Sequence, residues 1–451
     1  MRCSQVRRGV LIALAFGPFL SPSPAYSQTS DRIWGRVATT SGDVLEGFIR
    51  WDRNEASWAD QLDGTKENLE FEFQDWWVLA NPDDRGRDRV IEYGGYRNTW
   101  DDNEPELPSS TESGIRFGHI QRLTAVDRQE AKLELRSGQV VTLTSGATDL
   151  GTDLRELLVT DSNGQVHELE WEDLDSVEFF RAPAGSEPGG QRLHGTVEMQ
   201  EGPSFTGYIA WDLDEILTTD TLNGEDSNGV RRRVLFGRIT SIRPINDGAE
   251  IALADGNRME LFDDDDVDRG NDGIYVSDPA LGMVVLDWDD VEIVRFHSPD
   301  PGSISGPLDG GRRLRGTVVT ADTTELSGWI RWDGDEEYSW ELLDGRTPSA
   351  VVDVEFGQIA VIEKFLAEVV SVNLGPAGVS VSHPVTEGAK VTLRDGRVFE
   401  MDGSNDVDES NHGIFILPED SGWLPDHEEA EWIWVRWEDF HSVTFDWGEE
   451  G

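Results

Sequence analysis

One short phrase occurs three times in this chain: GFIRWD at 47–52, GYIAWD at 207–212 and GWIRWD at 328–333. Each phrase has a Gly twelve residues before its own first Gly (Gly35, Gly195, Gly316) and another thirteen residues after its Trp (Gly64, Gly224, Gly345). Fixed spacing around a shared phrase marks a duplicated structural unit, so the chain is expected to fold as three related pieces.

Each copy divides into two halves. The leading half ends in Phe-Gly-x-Ile (Phe117-Gly118, Phe236-Gly237, Phe356-Gly357), and the trailing half ends in Trp-acid-Asp (Trp171, Trp288, Trp437). The segment 389–401 alternates apolar and polar residues about Asp395-Gly396, which predicts a hairpin, and 351–356 alternates in the same way. No stretch sustains a helical period. About five short strands are expected per half, with a step before the fifth that is short enough for only a 3₁₀ turn.

Gly-x-Val, a turn, Gly-aromatic-Ile-x-Trp-Asp and a closing Phe-x-x-Ile resemble Sm-like and Src-homology-3-like small barrels, about 50 residues at a time. The resemblance implies an all-β fold of three tandem repeats, each a pair of five-stranded barrels. It transfers no function, because such folds host many activities. A lone barrel of this size buries too little surface to be more than marginal, so the halves of a copy are expected to pack together, with Trp51, Trp211 and Trp332 as plugs. The rival architecture is a six-bladed β-propeller. Pro/Gly/Ser-rich linkers at 181–191 and 298–311 place the repeats at 28–181, 192–297 and 312–447.

The first 27 residues read as an export signal: Arg2, Arg7 and Arg8, an apolar run from Gly9 to Leu20, and Ala25-Tyr26-Ser27 as a cleavage site. The apolar run is too short to span a bilayer, and no later segment replaces it. Sec export fits better than the looser twin-arginine match, which gives a periplasmic or secreted protein. The single cysteine, Cys3, falls inside this signal. The exported chain therefore has no disulfide, thiolate nucleophile or cysteine-held metal to rely on. The net charge is −51, and loss of the signal's three arginines takes it to −54. Such a surface repels nucleic acid and anionic membrane. It suits either cation binding or solvation in a saline setting.

Insertions are where the copies differ and where function is sought. From Gly64 to Phe117 the first copy uses 53 residues where the others use 12 and 11, so about 66–113 is an insertion, carrying Trp76, Trp77 and Trp100. The third copy adds 365–388 and, near its end, Trp423, Trp432 and Trp434. Exposed Trp beside carboxylates suits stacking on sugar rings; capping of barrel ends is the plainer reading. The trailing halves of the second and third copies hold Asp266, Asp268 and Asn271, and Asp406, Asp408 and Asn411. Alternate oxygens of this kind can surround a hard cation such as calcium, though three side chains fall short of its six to eight ligands. The alternative is a tight connection in which Asp caps free amides. The Asp-x-x-Glu after each shared Trp (Asp52/Glu55, Asp212/Glu215, Asp333/Glu336) could extend a cation site but reads first as a solvated turn.

There is no nucleophile elbow, phosphate loop, dinucleotide fingerprint or HExxH, and no His recurs between copies. The expectation is an exported, non-enzymatic acidic β-repeat protein acting as a binding or envelope scaffold toward a protein or glycan partner. Carbohydrate binding or glycan processing, and calcium-stabilised adhesion, are the alternatives.

Overall fold

The computed structural model describes residues 31–67, 90–93, 96–99, 110–146, 148–299, 303–304, 306–366, 372–374, 379–381, 387–425, 427 and 430–448. The expected signal, 1–27, and Trp76, Trp77 and Trp100 lie outside them. The described chain is all-β: three antiparallel sheets of ten, twelve and eight strands, two small two-stranded ladders, and short 3₁₀ turns. None of the three sheets closes into a barrel. Their strand orders are also not those of separate four-stranded blades. Among the described residues no helix is long and apolar enough to cross a membrane.

The first copy contains β1 (Trp34–Thr39), β2 (Val44–Trp51), β3 (Gln61–Glu67), β4 (Val90–Tyr93), β5 (Tyr96–Thr99), β6 (Ser110–Arg116), β7 (Ile120–Ala125), β8 (Glu130–Leu135), β9 (Val140–Thr144), β10 (Leu157–Asp161), β11 (Val166–Leu169) and β12 (Leu174–Phe180). Apart from the β4–β5 ladder, they form one sheet in the order β11-β10-β2-β1-β12-β7-β8-β9-β3-β6. Strands of the leading and trailing halves thus interleave. β12, the last strand, sits between β1, the first, and β7. The second copy repeats the order, from Gly282–Leu286 through His194–Met199 and Val291–Phe296 to Arg231–Leu235. Its edge strand Gly282–Leu286 then pairs with Ala350–Glu355 of the third copy, so one sheet runs through both.

The shared glycines have a steric cause. Gly35 faces Gly47, Gly195 faces Gly207 and Gly316 faces Gly328 across the first two strands of each copy. A Cβ on Gly47, Gly207 or Gly328 would lie 2.1, 2.2 and 2.1 Å from the carbonyl oxygens of Thr160, Ser277 and Leu417 in the adjoining strand. No side chain fits there. The expected hairpin forms, with Thr392 opposite Val398 about the Asp-Gly turn. Five of the six steps before a last strand are 3₁₀ turns, at Trp171, Phe236, Trp288, Phe356 and Trp437.

Trp51, Trp211 and Trp332 are fully buried. One apolar cluster runs through the second and third copies, and another fills the first and takes in Trp340 of the third. Ion pairs join the copies, two buried and one half-buried. Arg192 grips Asp60 with two bonds of 2.9 and 3.0 Å, Arg116 meets Glu355 at 2.9 Å, and Arg397 grips Asp278 at 2.7 and 3.0 Å. Burial opposes the charge on Asp60 and Glu355, yet Arg192 and Arg116 hold both carboxyls below their usual range.

Candidate functional site

The phrase Trp-Asp-x-x-Glu builds the same pocket in each copy. The Trp and the Glu exchange two backbone hydrogen bonds, 2.8 and 3.1 Å for Trp51/Glu55, 2.9 and 3.0 Å for Trp211/Glu215, and 2.8 and 3.1 Å for Trp332/Glu336. Closing so tight a turn puts the Asp and its successor in the left-handed region: Asp52 and Arg53, Asp212 and Leu213, Asp333 and Gly334. Asp tolerates this better than most residues. The indole Nε1 then donates to the carbonyl of an aspartate in the trailing half, Asp149, Asp266 or Asp406, at 2.8, 2.8 and 3.0 Å. That aspartate's carboxylate accepts the backbone N–H of Asp63, Asn223 or Asp344 at 2.7, 2.6 and 2.7 Å.

Three carboxyls therefore crowd one end of each buried Trp. The turn is not solvated as expected: Asp52, Glu55, Asp333 and Glu336 are buried, because the trailing loop folds over it. Burial pushes all three glutamates up, Glu55 and Glu336 well above the usual range and Glu215 to about 10, with Asp149, Asp335 and Asp266 adding to it in turn. Oε2 of each of Glu55, Glu215 and Glu336 is buried without a hydrogen-bond partner.

The copies part at one position. A backbone N–H donates to the turn aspartate in all three, from Arg155 to Asp52 at 2.6 Å, from Asp272 to Asp212 at 2.6 Å, and from His412 to Asp333. The side chains that follow are a guanidinium, a carboxylate and an imidazole. Arg155 Nε lies 3.0 Å from Asp52, and Thr148 donates to the same oxygen at 2.6 Å. His412 Nδ1 lies 3.0 Å from Asp333. Burial alone would lower His412, but Asp333 outweighs it and raises the imidazole to about 9. In the second copy no cation appears among the causes of the shift: burial, Asp266 and Asp272 push Asp212 up to about 6, opposed only by the Asp272 N–H it accepts. There, one oxygen each from Asp212, Glu215 and Asp266 lie within 4.8 Å of one another, the one such convergence among the described residues.

The structure brings Asp266 to Asp212 and Glu215. Asp268 and Asn271 instead cap backbone amides of their own turn, those of Gly270 at 2.7 Å and Gly273 at 3.1 Å. The third copy does likewise: Asp408 accepts from Ser410 at 2.9 Å and Asn411 from Gly413 at 2.9 Å, while Asp406 joins the pocket of Trp332. In the sequence Asp212 and Glu215 read first as a solvated turn that could extend a cation site. Their threefold recurrence beside a buried Trp was the available signal.

The aromatic residues that can be placed are half-buried and already partnered. Trp423 packs on His427 at 4.3 Å, Arg331 lies 5.0 Å over Trp432, and Trp434 stacks on Phe415 at 6.3 Å and donates to the His412 carbonyl at 2.9 Å. Comparison with protein-family models, with curated proteins and with solved structures finds no match to this chain.

Proposed function

We propose that the chain is an exported, non-enzymatic binding or envelope scaffold made of three tandem units, each two Src-homology-3-like halves. The observation that carries this reading is the use made of the shared phrase. Its Trp, Asp and Glu are consumed in the frame, and the frames are tied together by Arg192–Asp60, Arg116–Glu355 and a sheet that crosses from the second copy to the third. Five strands per half in a repeated order support the tandem-unit description. A rigid scaffold should melt as one body. Calorimetry of the purified chain is expected to give a single transition that Arg192→Ala lowers as a whole, since an unpaired buried Asp60 costs about 3–5 kcal/mol. Three separable transitions would overturn the scaffold reading. Export is checked by sequencing the N-terminus of the protein from the cell exterior, which is expected to begin at Gln28.

A second reading, stabilisation by calcium, is favoured by the contrast among Arg155, Asp272 and His412. Where two copies supply their own cation, the second supplies a further acid. Calcium there would meet Asp212, Glu215 and Asp266, with water completing its shell. Calcium is expected to raise the melting temperature of the native protein and not that of Asp212→Asn; no heat and no shift at millimolar calcium would end this reading.

A further inference from the structure

A cavity of about 350 Å³ lies where the first and third copies meet. Its two walls are antiparallel strand pairs. One is β3 and β6 of the first copy, and the other is Leu342–Thr347 with Ala350–Glu355 of the third. Gly114 lets them approach, since a Cβ there would stand 2.8 Å from Leu342. Asp63 and Glu112 line the cavity from the first wall, Asp344 and Asp353 from the second, and Glu336 from the turn after Trp332.

These acids are not a solvated face. Asp344 stands directly opposite Asp353 in the strand register, a placement that destabilises a sheet unless something neutralises it. Glu336 is 6% exposed, lines the cavity, and its Oε2 has no hydrogen-bond partner. Such an orphan is costly in an empty site. Burial first, then Glu112, pushes Asp63 up to about 6; burial, Asp335 and Asp63 push Asp344 up to about 7. Among the described residues the one cation in the lining is Lys66, whose Nζ donates to the Asp335 carbonyl and to Glu341, both at 2.7 Å. The protein thus already seats one primary alkylammonium at the cavity's edge.

The spread of the acids decides the ligand class. A single metal ion needs several oxygens converging on one point. Among the described residues only Asp212, Glu215 and Asp266 converge in that way, and Asp212 and Glu215 are not in this wall. Here the carboxyls come from both walls, and Met283, Leu342 and Val351 line the same cavity. A lining that mixes carboxyls with apolar side chains matches ammonium groups joined by methylene chains. We infer that this cavity binds a linear aliphatic polyamine, its ammonium groups on Asp63, Asp344, Asp353 and Glu336 and its methylenes on Met283, Leu342 and Val351.

The test is calorimetric titration of the full exported chain with spermidine at low salt. One site is expected, weakened about tenfold in Asp353→Asn, because one charge-assisted hydrogen bond is lost. Asp212→Asn is expected to leave it unchanged, which separates this site from the calcium reading. Val351→Lys places a second alkylammonium in the cavity and is expected to abolish binding while raising the melting temperature; a merely misfolded variant would lower it. Absence of heat with the wild-type chain overturns the inference. So does many-site binding that ignores Asp353→Asn, which is general attraction to an acidic surface, or binding of calcium but not spermidine that Asp353→Asn removes.

Discussion

The pockets of the first and second copies share their backbone and differ in their charge. In both, an indole reaches an aspartate carbonyl at 2.8 Å and a turn aspartate accepts an amide at 2.6 Å. In the first, the residue giving that amide also brings the guanidinium of Arg155 onto Asp52; in the second it brings another carboxyl, Asp272. The same turn forms either way. Its geometry is therefore set by the buried Trp, by the Trp–Glu backbone pairing and by the left-handed Asp, and charge compensation is added on top. A group that the frame does not require is free to vary, and variation at 155, 272 and 412 gives three electrostatic outcomes on one scaffold.

If the frame is common, removing its centre should cost the same everywhere. Trp51→Ala, Trp211→Ala and Trp332→Ala are each expected to destabilise by about 3–5 kcal/mol, measured by denaturant unfolding. A cost near zero in any one copy would break the equivalence. Charge should act unequally. Arg155→Ala leaves Asp52, fully buried, without its cation, and a loss of about 2 kcal/mol is expected. That is below the figure for a fully buried pair because Arg155 is 33% exposed. Asp272→Ala, at the matching place, is expected to stabilise slightly or do nothing.

Much of the frame was legible before any coordinates. The glycine spacings mark Gly47, Gly207 and Gly328, where a neighbouring strand leaves no room for a Cβ. Alternation about Asp395-Gly396 gave its hairpin, and the buried Trp followed from position alone. What could not be read was which distant strands pair. β12 with β1, or Gly282–Leu286 with Ala350–Glu355, depends on contacts across many residues that local periodicity does not encode. For the same reason the Asp-x-x-Glu after each shared Trp reads first as a solvated turn: the burial of Asp52 and Glu55 comes from a distant loop, which carries Asp149. The cavity between the first and third copies is a property of their docking and has no signature within either.

The third copy adds a dependence on pH that the first lacks. His412 is raised to about 9 from an unfolded value of 6.5, so the native state holds that proton more tightly. Its contribution is whole below pH 6.5 and is lost as the pH climbs through about 9. Glu215 acts with the same sign over a wider window. It is raised to about 10 from 4.5, so stability also falls as the pH rises above 4.5. The chain is thus expected to melt at a higher temperature at pH 5.5 than at pH 8.5. His412→Gln should make the slope above pH 6.5 shallower, leaving Glu215's share there, and should not change the slope below it. A flat profile between those two pH values would refute both assignments.

The smallest effect is the most discriminating. Asp272→Arg gives the second copy the side chain of the first. Asp272 is exposed, so the new pair with Asp212 gains little in water, about 1 kcal/mol or less, a rise of roughly 1 °C or less in a chain of this length melting as one body. Calcium provides the sharper readout. With a guanidinium beside Asp212 the convergence of Asp212, Glu215 and Asp266 is already neutralised in part, and any shift in melting temperature that calcium causes in the native chain should disappear. If stability does not rise and the calcium shift persists, the guanidinium is not reaching Asp212. The difference between the first and second copies then lies in the loop's path rather than in the charge at its tip.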